Sequence, residues 1–186
     1  MPVQIGAKSP SFSDPTGLLS DCHRRIEMFL GMLAAVGERI DQPVTDETRR
    51  ALESALRYFG QAAPKHTADE EVSLFPRLRQ MNDPEMQSAF AELDKLEDDH
   101  RWAEPLHAEV ERLGVRYLDA GELSAAEVES YRTSVARLVS MYKHHLSVED
   151  ELVFPLAKRL LSEKDKSAIA NEMADRRQVK LVTDLA

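Results

Sequence analysis

The sequence predicts an all-α protein, an antiparallel up-down four-helix bundle with an additional short C-terminal helix. Three features carry that expectation. Apolar residues recur with helical spacing in four long stretches separated by short, turn-rich breaks. No segment alternates apolar and polar residues with the β-branched enrichment that strands favour. Four helices joined by short connections pack up, down, up, down.

In chain order, residues 1–17 hold Pro2, Pro10, Pro15 and Gly17 among serines, lack periodicity and read as an irregular lead-in. The bundle is expected over residues 18–161. Its first helix carries Leu19, Ile26, Leu30, Leu33 and Ala34 and ends near Ile40, before "DQPVTDE". Thr45 or Asp46 caps the second, whose stripe is Ala51, Leu52, Ala55, Leu56, Tyr58 and Phe59; Pro64 is expected to kink it before it runs on to about Arg79. Asn82 and Asp83 mark a turn and Pro84 suits a first helical position. A third stripe then runs through Phe90, Leu93, Leu96, Trp102, Leu106 and Leu113 to about Leu118. "DAGELS" interrupts the chain, Ser124 and Glu127 form a capping box, and Val135, Leu138, Met141, Tyr142, Leu146 and Leu152 continue to about Leu161. Residues 162–186 read as a short amphipathic helix and a tail.

A chain of 186 residues suits one domain able to bury a core without disulfides. Its net charge of −9, with 24 basic residues interleaved among 33 acidic ones, lacks the basic stripe of a nucleic-acid binder. The lone Cys22 cannot form an internal bridge, and the N-terminal stretch has no apolar core of the kind a secretory signal needs, so a cytoplasmic protein is expected. The greasiest run, "MFLGMLAAVG" from Met28, is about half of the roughly 20 residues that cross a bilayer, so no membrane span is expected.

Chemistry concentrates in a sentence spelled twice: "HTADEEVSLFPRL" from His66 and "HLSVEDELVFPLA" from His145. His23 and His66 stand 43 residues apart and His100 and His145 stand 45 apart, the spacing of an internally duplicated bundle. Counting residues to and from each turn places His23, His66, His100 and His145 within about one helical turn of a common level. Each has a glutamate four residues on: Glu27, Glu70, Glu104 and Glu149. Positions four apart share a helix face, so eight polar groups would converge. Unpaired buried carboxylates suffer desolvation and mutual repulsion, and cations would relieve both. Two histidines per ion with Glu70 and Glu149 bridging give each of two ions about four protein atoms, with an oxo or hydroxo bridge as a fifth. Imidazole mixed with carboxylate suits iron first, then manganese, and is less suited to zinc, calcium or magnesium. A single iron is the sparser alternative. Glu27 and Glu104 have three readings: further ligands, acceptors that orient imidazole N–H groups, or solvent-facing charges. His107 lies about 10 Å along the axis from His100, which suits an entrance or supporting position, and His144 points about 100° away from His145, toward the surface. Cys22 reads as a small buried hydrophobe, Trp102, Phe75 and Phe154 as core, and Tyr142 as core or a hydrogen-bond donor near the centre.

Over roughly residues 18–161 these motifs resemble the hemerythrin-like proteins, whose signature is His, then His-x-x-x-Glu, then His, then His-x-x-x-Glu on successive bundle helices. The resemblance implies a non-haem di-iron centre that binds oxygen or a similar diatomic molecule, with His23, His66, Glu70, His100, His145 and Glu149 as ligands. One departure matters: the oxygen carriers have a second histidine on the third helix where this chain has Glu104. The expected function is therefore a di-iron protein that binds or senses oxygen, nitric oxide or peroxide, or handles iron. The rival is an enzyme that reduces peroxide or nitric oxide or repairs iron–sulfur centres. The chain has no CxxC pair and no flavin-type glycine-rich turn to supply electrons, which favours binding over turnover.

Overall fold

The computed structural model describes Phe12 and residues 14–180. Most of the expected lead-in and the end of the tail lie outside the described residues. Helix α1, Pro15–Gly37, starts three residues before Leu18 because the Asp14 side chain accepts from the Gly17 N–H and Pro15 fits the first turn. Thr45, rather than Asp46, caps α2, Asp46–Gln61. Pro64 interrupts the second rod as its missing N–H requires, and α3, Ala63–Ala68, restarts beyond Ala62. The rod then widens into a π-helical segment, Asp69–Leu74, and closes with α4, Phe75–Leu78. The third rod is α5, Pro84–Ala120, capped by Asp83 and ended by Gly121, whose φ of 83° is left-handed. The Ser124–Glu127 capping box starts the fourth, α6, Ala125–Val148, which passes through a second π segment, Glu149–Val153, into α7, Phe154–Leu160. Helix α8, Glu163–Arg176, follows, with Ser162 as its cap. No strand occurs among the described residues.

Cross-links fix the directions of the rods. His23 pairs with Asp150 while Gly37 O accepts from Arg132, so the first and fourth rods run antiparallel. Arg49 donates to Leu118 O at one end of the second and third rods and Arg79 binds Glu97 at the other. Arg116 pairs with Glu127 and Asp99 with His145, which sets the third against the fourth. The apolar interior forms two clusters. One runs from Ile26 and Leu30 through Leu52, Leu113 and Tyr131 to Leu138; the other gathers Leu19, Phe75, Leu93 and Phe154 with Ile169 and Met173 of α8. The repeated histidines and glutamates lie on the lengths of rod between the two. Trp102, expected in the core, is 40 % exposed, and its ring stacks under Arg137 at 4.8 Å. Among the described residues no helix is long and apolar enough to cross a membrane.

Candidate metal centre

The four rods bring His23, His66, His100 and His145 together with Glu70 and Glu149 and leave Glu27 and Glu104 outside. His23, His66, Glu70 and Glu149 form one group of potential ligand atoms within 4.8 Å of one another, and His100, His145 and Glu149 form a second. Glu70 and Glu149 are completely buried, and His23, His66 and His145 nearly so. Both carboxylates reach across the two groups. Glu149 Oε2 lies 3.2 Å from His23 Nε2 and 3.3 Å from His145 Nε2. Glu70 presents Oε1 to His66 Nε2 at 3.1 Å and Oε2 to His100 Nε2 at 3.6 Å.

Glu27 and Glu104 are exposed and belong to neither group, which removes them from the ligand set expected of the sequence. Their spacing to a histidine equals that of Glu70 and Glu149, so the spacing does not make the difference. In an unbroken α-helix the fourth residue on is rotated about 40°; on α1 and α5 that rotation leaves Ile26 and Ala103 buried and turns Glu27 and Glu104 to solvent. Glu70 and Glu149 both lie in π segments, where the Phe75 N–H donates to Glu70 O and the Phe154 N–H to Glu149 O, five residues back. The Glu149 N–H donates to His145 O four residues back, so the turn from histidine to glutamate is still α-helical and the widening follows the glutamate; the rotation of each whole rod about its axis decides which glutamate faces inward. A Phe-Pro follows each π segment directly. Pro76 and Pro155 offer no N–H to the carbonyl four residues back and so remove one rung of the ladder, as Pro105 does inside α5 without a π segment.

Four observations test whether these residues suit a cation. First, nitrogen and oxygen ligands about 2.1 Å from a first-row ion stand about 3.0 Å apart at right angles and about 4.2 Å apart when opposite. The contacts between imidazole nitrogens and carboxylate oxygens span 3.1–4.0 Å. Second, although some of these separations would allow hydrogen bonds, the angles do not. His23 Nε2, both nitrogens of His66 and all four carboxylate oxygens of Glu70 and Glu149 are buried without a hydrogen-bond partner, and every such atom among the described residues belongs to this cluster. Isolated groups of that kind each cost on the order of 1–3 kcal/mol.

Third, protons satisfy the cluster poorly. Burial, reinforced by Glu149, pushes the Glu70 carboxyl well above the usual range. Burial also opposes the charge of Glu149, but His145 and His23 outweigh it and hold that carboxyl below its usual value. His66 is driven down to about 3, first by burial and then by the neighbouring imidazoles. His23 is raised to about 11 and His145 to about 9, in each case against burial, by the carboxylates beside them. Like neighbours are thus pushed in opposite directions. Fourth, the far side of the imidazoles is prepared. His23 Nδ1 lies 3.0 Å from Asp150, His100 Nδ1 2.8 Å from Glu71, and His145 Nδ1 3.3 Å from Asp99. An Nδ1–H donated to a carboxylate leaves the Nε2 lone pair pointing inward, the arrangement common behind metal-bound histidine. The residues present fit one or two cations.

Sequence reasoning missed these three acids. Glu71 and Asp150 were detectable, since each directly follows the inward glutamate in the repeated sentence. Each serves a neighbouring rod, the second supporting the third and the fourth supporting the first. The expected positions of the remaining histidines agree with the structure. His144 is exposed, and His107 lies beyond His100 with Nε2 3.0 Å from the Tyr142 hydroxyl. Phe154 stacks on the His23 ring at 5.1 Å. Cys22 is half-buried.

A second layer of charge secures the first π segment. Asp69, completely buried beside Glu70, accepts from Arg176 at 2.8 Å and from Arg177 at 2.6 Å, and Arg176 also donates to the Ser73 hydroxyl. Arg77 grips Glu172 of α8 through two hydrogen bonds.

Fold and site together define a helical-bundle protein with a buried histidine–carboxylate centre able to hold metal. The sequence profile described as the Hemerythrin HHE cation binding domain matches residues 14–170, and the chain belongs to that family. An uncharacterized protein of Haemophilus influenzae is 26 % identical over 171 residues, covering 91 % of this chain and 94 % of the relative.

Proposed function

We propose that this chain holds two iron ions between its four rods, bridged by Glu70 and Glu149, and uses them in the cytoplasm to bind or sense a small diatomic ligand or peroxide. His23 and His66 would serve one ion and His100 and His145 the other. When bound, such ions supply Lewis acidity and one-electron redox chemistry. The protein's own groups contribute bridging carboxylates and imidazoles fixed from behind by Asp150, Glu71 and Asp99. The observation that carries the reading is the confinement of every buried, unpartnered side-chain atom among the described residues to these ligand positions. A carboxylate pair shared by two histidine pairs supports two ions over one.

Metal analysis of the purified protein, with absorption spectra taken before and after exposure to air, tests it. About two irons per chain with near-ultraviolet bands of a bridged ferric pair are expected; protein purified without chelator that holds no stoichiometric metal would refute the reading. Reversible ligand binding without consumption of reductant separates a binder from the enzyme alternative.

A further inference from the structure

The proposed centre has two unequal sides. A cavity of about 360 Å³ lies beside His100, walled by Phe59, Thr67, Ala103, His107 and Tyr142, with Glu104 on its lining. None of its lining residues belongs to the His23–His66 group. The duplication explains why it stands on one side only. At the offset relating His23 to His100, Ala103 and His107 correspond to Ile26 and Leu30; at the offset relating His66 to His145, Phe59 and Thr67 correspond to Leu138 and Leu146. Ile26, Leu30, Leu138 and Leu146 are all buried in the core, so the equivalent space of the other half is filled with aliphatic side chains. The ligand groups are unequal in the same sense, with four residues in the His23–His66 group and three in the His100–His145 group.

We propose that an exogenous small ligand, a diatomic molecule or small anion able to accept a hydrogen bond, reaches the centre through this chamber and binds on the His100–His145 side, where Tyr142 donates a hydrogen bond to it. The inference rests on the metal-binding reading above. A molecule the size of water takes about 30 Å³, so the chamber admits such a ligand with room to spare. Tyr142 is 8 % exposed, and its ring packs 5.9 Å from that of His145. Its hydroxyl is 3.0 Å from His107 Nε2. The direction of that bond depends on the His107 tautomer; in the Nε2–H tautomer the ring donates to the tyrosine oxygen and leaves the phenolic O–H to donate into the chamber, the state the proposal requires. Burial holds His107 down to about 4, so that the ring stays neutral beside it.

The test is an azide titration of the iron-loaded chain, followed by the absorption of the ferric azide complex, with iron content measured on the same samples. Tyr142→Phe should keep its iron and weaken azide binding about tenfold, the loss expected for one hydrogen bond. Ala103→Leu, which fills the chamber, should keep its iron and weaken azide at least as much. If that variant does not fold, Phe59→Trp fills the space from the opposite wall. Unchanged azide affinity in variants that retain their iron overturns the inference and leaves the metal reading standing. A wild-type chain that takes up no iron removes the metal reading, and this one with it.

Discussion

In the second rod the inward glutamate is preceded by Asp69, and in the fourth rod Val148 occupies the same place. Ser73 is likewise matched by Leu152. The two segments share the histidine, the glutamate, the following acid and the Phe-Pro, and both widen into π turns. Their surroundings differ. Helix α8 locks the first through Asp69 and Ser73, and the second has no such polar handle. Behind the histidines the imbalance reverses. His145 Nδ1 faces Asp99, whose counterpart on the first rod is Cys22, and His66 Nδ1 has no partner. The His66 segment is therefore anchored through the Asp69 and Ser73 side chains of its π turn and the His145 segment through its imidazole. The difference teaches that the repeat carries the candidate ligands in both halves while the neighbouring positions differ, leaving one side closed and braced and the other beside the chamber.

The largest test of this picture is Glu149→Ala. Because Glu149 belongs to both ligand groups, iron should fall from about two per chain to none and the melting temperature should drop, since metal-binding free energy is also folding free energy. A variant that retained one tightly bound iron would break the shared-bridge view.

Next comes the brace. Arg176→Ala with Arg177→Ala leaves the Asp69 carboxylate buried and unpaired, a loss of about 3–5 kcal/mol in denaturant unfolding. Iron should be lost first from the His23–His66 side, so content near one per chain is expected.

A smaller effect separates the halves by pH. His107 replaces Leu30 of the first half, and burial depresses its pKa from 6.5 to about 4. A depressed folded-state value means that the stability contributed by the neutral ring is complete above about pH 6.5 and is lost as pH falls toward about 4, about 3 kcal/mol in all. In metal-free protein the melting temperature of the wild type should therefore fall more between about pH 7 and about pH 4.5 than that of His107→Leu. Equal falls would show that this ring is not buried as described.

The smallest expected change is none. Glu27→Ala and Glu104→Ala should leave iron content unchanged, although each glutamate follows its histidine by the same four residues as Glu70 and Glu149. Loss of iron in either variant would restore that residue to the ligand set.

Much of this was legible in one dimension. The cap at Thr45 or Asp46, the capping box at Ser124, the turn at Asn82 and Asp83, and the breaks at Pro64 and "DAGELS" marked the helices, because helix ends are governed by local hydrogen bonding and by φ. The repeated sentence singled out the four histidines and the two glutamates. Trp102 misled because a helical stripe gives a face only to within the width of one side chain, and its ring lies on the edge of the buried arc beneath Arg137. Glu27 and Glu104 misled because i,i+4 spacing places residues on a common face without saying which way that face turns.

By itself the sequence determined the number of helical rods, their order and the residue types carried at a common level, since these follow from periodicity, capping and counting along a chain of fixed rise. Only the tertiary structure decided which carboxylates enter the core, which acids stand behind which imidazoles, and on which side space remains. Those outcomes depend on the rotation of each rod about its axis, set by packing against its neighbours, and on contacts such as Asp150 with His23, 127 residues apart. No local pattern encodes that distance.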